Sequence, residues 1–114
     1  MIKEVVAVIR PSRWSDTLEN LRAAGFHAVT RQRAYGRGKQ KGLRYGPEAD
    51  AGGILELPKW CVTLIVLDSE VEKAVAAIVM ANKTGEIGDG KVFVCPIRTA
   101  VRIRTDERAE LALT

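Results

Sequence analysis

Apolar positions recur along this chain with two different periods. Ile2 to Ile9 is a compact run rich in Val and Ile that ends at Arg10-Pro11, which reads as a strand. From Ser12 to Ala24, Trp14, Leu18 and Leu21 return at helical spacing, and Gly25 stands where a helix ends on a left-handed residue. His27 to Tyr35 reads as a second strand and Trp60 to Leu67 as a third, the latter almost continuously apolar. Val71, Ala74, Val75, Ile78 and Val79 then draw one stripe along a second helix, with Ser69 and Glu72 at capping-box spacing. Lys91 to Val94 and Val101 to Arg104 form the last strand, interrupted at Pro96, which has to sit at an edge or a bulge.

The order is β-α-β-β-α-β. It predicts an α+β, ferredoxin-like sandwich in which right-handed crossovers put both helices on one face of the sheet. The third strand sets a further condition. Trp60, Val62, Leu64 and Val66 point to one face, and Cys61, Ile65 and Leu67 to the other. Two helices cover only one of these apolar faces, so other subunits should cover the second. The segment from Gly36 to Pro58 is Gly-rich and poor in apolar residues until Ile54-Leu55. A loop of that length inside a compact domain is usually functional or disordered. The expected organisation is one domain, 1–114, with a long loop at about 37–58.

With 46% apolar and 28% charged residues the chain has the make-up of one soluble domain. At this size it buries only about two-thirds of its unfolded surface, so cover from other subunits helps. No apolar run approaches the roughly 20 residues of a membrane span, and Met1-Ile2-Lys3-Glu4 does not read as a signal peptide, so a cytoplasmic protein is expected. Cys61 and Cys95 form no C-x-x-C pair and are expected as free core thiols. His27, the only histidine, lacks Cys/His partners at zinc spacing and reads as structural.

The net charge of +4 is unevenly distributed. Six basic residues and no acid lie between Arg31 and Arg44. A solvated basic face is the ordinary account of such a run, and a nucleic-acid stripe is the second. The run holds a single aromatic, Tyr35, and no helix-turn-helix or RNA-binding signature follows, so nucleic acid is not the expected partner. A nucleotide accounts for the same charge together with the glycines of Thr84-Gly85-Glu86-Ile87-Gly88-Asp89-Gly90-Lys91. Three glycines in six residues let the backbone approach an anion with its N–H groups turned inward, and Lys91 adds a mobile charge. Gly85 to Lys91 fits the front of a G-x-x-x-x-G-K phosphate loop. Val92 then stands where that motif needs Ser or Thr, and a strand follows where it needs a helix.

This stretch resembles the C-terminal signature of the PII signal-transduction proteins. Arg10-Pro11, Gly36-Arg37-Gly38-Lys39-Gln40-Lys41-Gly42, Leu57-Pro58-Lys59 and Val101-Arg102-Ile103-Arg104-Thr105 also resemble family landmarks, in order and at family spacing over nearly the whole chain. The resemblance implies a homotrimer with three sheets around a central axis and three nucleotide sites in the clefts between subunits. It implies that ATP or ADP lays its phosphates against Gly88, Asp89, Gly90 and Lys91. Gly36, Gly38 and Lys39 would stand at the entry to the loop called the T-loop, and Thr30 would receive the adenine. Arg102 and Arg104 would reach the phosphates from the neighbouring subunit, and their i, i+2 spacing on a strand would aim two guanidinium forks at one anion.

The resemblance further implies 2-oxoglutarate as effector, bound through Mg²⁺ carried by ATP. Gln40 would complete the metal coordination and Lys59 would pair with a carboxylate, which suits the oxygen ligands magnesium prefers. Both residues flank the long loop, so filling the site would restrict the loop that a target protein contacts.

There are departures from the family pattern. Lys39 stands where Arg is common, and loses bidentate phosphate geometry while keeping charge. Ala28 replaces a usual Gly, and Thr63 an acidic residue, near the adenine. Gly52 matches the tyrosine that enteric members have uridylylated, and Tyr45, the only loop tyrosine, lies elsewhere, so that switch is not expected. The loop spelling, with Val94-Cys95-Pro96-Ile97, looks most like the NifI subgroup, whose members switch nitrogenase off when ammonium arrives. The resulting expectation is a non-enzymatic PII-type sensor controlling nitrogenase through T-loop contacts, with a PII paralogue as a further candidate partner. The alternatives are a PII protein acting on an ammonium transporter or assimilation enzyme, or a PII-fold sensor of another small anion. An ATP-hydrolysing enzyme finds no histidine or activated nucleophile beside the loop.

Overall fold

The computed structural model describes residues 1–36 and 56–114. Its order is β1 (Ile2–Ile9), α1 (Trp14–Ala23), β2 (Thr30–Gly36), β3 (Leu57–Leu67), α2 (Val71–Asn82) and β4 (Lys91–Ile97). The strands form one antiparallel sheet in the order β2-β3-β1-β4. Leu21 of α1 and Val71, Ala74 and Ile78 of α2 pack with Val5, Ala7, Ile9, Val62, Leu64 and Val66 in one core. That cluster puts both helices on one face of the sheet. Truncating a core residue such as Ile78 to Ala would cost about 2–5 kcal/mol.

The element boundaries differ from the sequence expectation in ways with local causes. Pro11 opens a 3₁₀ turn over Pro11–Arg13, and α1 proper starts at Trp14. Gly25 ends it with φ +96°, as the sequence pattern required. β2 starts at Thr30 rather than His27, and His27 is exposed. β3 begins at Leu57, where Gly36 pairs with Leu57 and Tyr35 with Pro58. The cap expected from Ser69 and Glu72 is made two residues earlier: Glu70 accepts the Leu67 N–H at 3.2 Å, after which Asp68–Glu70 forms a 3₁₀ turn into α2.

The largest correction lies at the C-terminal end. β4 runs through Pro96 to Ile97, with Pro96 opposite Lys3 on the outer strand of the sheet, where its missing N–H is tolerated. Val101 to Arg104 does not extend that strand. Val101 makes a single bridge to Arg108, and the chain turns between them, with the Arg102 N–H donating to Glu107 O and the Asp106 N–H to Arg102 O. Arg102 and Arg104 are therefore turn residues, and the side-by-side projection expected of a strand does not hold.

Among the described residues, no helix covers the other face of the sheet. Its rows are Thr30, Thr63, Val6 and Phe93, then Gln32, Cys61, Val8 and Lys91. Ile65 is 37% exposed and Phe93 50% exposed on it. Cys61 and Cys95 are free, as expected, but they are half-buried on this open face and not in the core.

Candidate functional site

The glycine-rich segment fills the gap between α2 and β4, and the preceding helix is fixed at its last residue. Asn82 Nδ2 donates to Thr17 Oγ1 at 2.9 Å and to Ile78 O at 2.8 Å, and the Thr17 hydroxyl donates to Arg13 O at 2.6 Å. Both Thr17 and Asn82 are buried, so α1 and α2 are tied together where the loop leaves. Gly85, Gly88 and Gly90 all take positive φ, between +88° and +108°. At Gly90 the demand is doubled. An added Cβ would stand 2.0 Å from Val8 O, so only glycine lets the loop lie against β1.

Asp89 organises the loop from inside. Its carboxylate accepts from the Thr84 N–H at 2.8 Å, the Thr84 hydroxyl at 2.5 Å and the Gly85 N–H at 3.0 Å. Arg10 Nη1 reaches the same carboxylate at 2.7 Å, and Nη2 donates to Ile87 O at 3.1 Å. Hydrogen bonds from Thr84, aided by Arg10 and Gly85, hold the Asp89 carboxyl well below the usual carboxylate range. The Glu86 N–H is also satisfied internally, by Thr84 Oγ1 at 3.1 Å. The first N–H groups of the expected anion nest are thus occupied by the loop's own side chains. Lys91 is exposed at the start of β4, opposite Val8, where its ammonium group can meet a ligand.

Among the described residues, three cations gather at this end of the sheet. Lys59 lies two residues before Cys61 on β3, so it shares a face with Cys61, Val8 and Lys91. Arg10 follows β1 directly. Burial, and secondarily the charge of Arg10, lower the Lys59 pKa from its ordinary value. Such a lysine is poised to gain an anionic partner. Thr30 is exposed at the start of β2 beside Thr63, in the next row of the same face. Gly36 ends β2 without positive φ, and a Cβ added there would meet nothing within 4 Å among the described residues.

Not every expected residue is brought in. Gly38, Lys39 and Gln40 lie outside the described residues. Arg102 turns toward its own C-terminal segment: Nη1 pairs with Glu107 at 2.6 Å, and Nη2 donates to Ala112 O at 3.2 Å and also to Thr114 O. Arg104 is exposed in the turn, beside an Ile103 that is 99% exposed. In the sequence Arg10 reads as a strand end and part of a family landmark, and its hold on the loop is missed. An Arg closing a strand shows nothing in sequence of the acid it will meet 79 residues later. Among the described residues no group of three or more His, Cys, Asp or Glu could hold a metal ion by itself. A magnesium ion here would depend on ligand phosphates, and the cationic surroundings of the loop suit such an anion.

Comparison with known proteins agrees with this architecture. The family model described as Nitrogen regulatory protein P-II matches residues 2–107. Nitrogen fixation nifHD region glnB-like protein 2 of Methanococcus maripaludis is 43% identical over 98% of this chain and all of that protein. The protein of the same description from Methanobacterium ivanovii is 40% identical over 98% of this chain and 99% of its own length. The crystal structure of Arabidopsis thaliana PII bound to citrate superposes with a TM-score of 0.80 at 31% identity, covering 97% of this chain and 91% of that one. The chain belongs to the PII nitrogen regulatory family. Its relatives from nifHD regions agree with the NifI-type loop spelling.

Proposed function

We propose that this PII-type nitrogen regulatory protein senses ATP or ADP together with 2-oxoglutarate and regulates nitrogenase activity through its T-loop. The observation that carries the reading is the glycine loop pinned at the end of the open sheet face, with Lys91, Lys59 and Arg10 gathered there. The nucleotide phosphates lie against Gly88, Gly90 and Lys91, with Asp89 holding the loop in shape and Thr30 on the adenine side. Three copies bury their open faces on one another, and Arg104, with Arg102 once it leaves Glu107, reaches the neighbouring subunit's phosphates. Lys59 takes a carboxylate of 2-oxoglutarate, and Gln40 serves the magnesium that ATP brings. Gly36, Gly38 and Lys39 complete the entry to the T-loop. The protein works in the cytoplasm without turning over its ligands.

The nifHD-region relatives favour a nitrogenase component as the target, with a PII paralogue as a candidate co-subunit. The test is a nitrogenase assay with purified components. Adding this protein with Mg-ATP should lower activity, and 2-oxoglutarate should restore it. Unchanged activity in every combination would favour an ammonium transporter or an assimilation enzyme as target. A second reading has its own support: the plant relative holds citrate, so a different small polycarboxylate is the leading candidate if 2-oxoglutarate has no effect.

A further inference from the structure

We infer that Arg10 is a positioning residue for the phosphate loop, acting through Asp89 and Ile87 without itself being counted among the phosphate ligands. The inference rests on the reading of residues 84–91 as the phosphate loop. Beyond its internal hydrogen bonds to Asp89 and Thr84, the loop has few anchors to the rest of the fold among the described residues. On its helix side a cleft of about 220 Å³ opens between Ile9, Ile78, Asn82 and Val92, with Lys83 and Lys91 also at its walls. The loop therefore does not pack densely against α2. On the sheet side it meets β1 through the close approach of Gly90 to Val8 O. The contacts that remain are polar, and Arg10 supplies two of them.

A guanidinium is suited to this because its fork is rigid. One arm takes the Asp89 carboxylate at 2.7 Å and the other the Ile87 carbonyl at 3.1 Å. The loop is thus held at two points by a side chain rooted at the end of β1, an inner strand of the sheet. Asp89 passes the constraint on, since the same carboxylate fixes the Thr84 and Gly85 N–H groups. Lysine could keep the ion pair but not both contacts. The Arg10 and Asp89 side chains are only 26% and 22% exposed, so the pair is shielded better than an ordinary surface ion pair.

Amide hydrogen exchange and ATP calorimetry on Arg10→Ala, Arg10→Lys and Asp89→Asn test this. Without nucleotide, Arg10→Ala should speed exchange at Thr84 and Gly85 while β1 and β3 exchange as in the wild type, which shows that the fold is intact. ATP affinity should fall about tenfold, the size of one lost charge-assisted contact. Arg10→Lys should recover part of the loss, and adding Arg10→Ala to Asp89→Asn should cost little more than Asp89→Asn alone. Unchanged exchange at Thr84 and Gly85, or fully additive losses in the double variant, would overturn the inference. Wild-type protein that bound no ATP would instead refute the phosphate-loop reading, and the exchange arm would still decide whether Arg10 sets the loop.

Discussion

Gly90 lies so close to Val8 that a single added carbon would collide with the Val8 carbonyl oxygen at 2.0 Å. The contact seats the glycine loop on β1 and brings Lys91 into register opposite the same valine. Gly90 also has φ +108°, which side-chain-bearing residues rarely adopt. Gly90→Ala should destabilise the fold by on the order of 2 kcal/mol from the backbone conformation alone, with the clash adding to it. Denaturant unfolding would measure this, and wild-type stability would contradict the described seating. Gly36→Ala is the control: among the described residues it meets nothing within 4 Å, and it should change stability little.

Lys91 stands exposed where the loop runs into β4, open to a ligand. Lys91→Ala should remove a charge-assisted hydrogen bond of about 1.5–3 kcal/mol, weakening ATP roughly ten- to a hundredfold. Calorimetry gives the value directly. Arg104→Ala should act on affinity with the fold undisturbed, whereas Arg102→Ala should also loosen the turn that Arg102 closes with Glu107 and Ala112. Exchange at residues 101–113 would separate the two.

The core was legible because β1, β3 and α2 carry apolar positions at the period of their element, and Val62, Leu64 and Val66 are buried together on one face. The last strand was misread for a physical reason. Val101-Arg102-Ile103-Arg104 alternates like a strand, but Ile103 is fully exposed and the segment closes on itself through Arg102 and Glu107. Alternation reports which residues share a face, not whether a partner strand is present. At the site, the glycines announced the loop because positive φ demands them. The role of Asp89 was hidden, since an acid in a phosphate-binding segment reads as a ligand contact while its bonds here run inward. Arg10 was hidden for a different reason: its partner, 79 residues away, is near only after β1 and β4 pair.

Oligomerisation should depend on the open sheet face. Ile65 and Phe93 lie exposed there, and light scattering at micromolar concentration should give three times 12.5 kDa. Ile65→Asp should shift the protein toward smaller species by placing a charge in an apolar contact. A wild-type monomer that keeps its fold would contradict the shared-site account.

Lys59 gives the site a pH signature. Its pKa is lowered in the free protein by burial and by Arg10, so the charged form is disfavoured relative to the unfolded chain. Folding is therefore less favourable below the lowered pKa than above the ordinary lysine value, with the change falling between the two. A bound carboxylate should raise the pKa again and draw a proton onto Lys59. Dicarboxylate binding in that alkaline window should thus be accompanied by proton uptake, seen as a dependence of the binding heat on buffer ionisation enthalpy. Heats independent of buffer would mean that the anion does not meet Lys59.

The most direct test of the proposed nucleotide-dependent sensing is a calorimetric titration of 2-oxoglutarate into the protein, with and without saturating Mg-ATP. Binding should appear with Mg-ATP, disappear when the magnesium is chelated, and disappear in Gln40→Ala while ATP itself still binds. No heat from 2-oxoglutarate under any of these conditions, with ATP bound normally, would contradict the account.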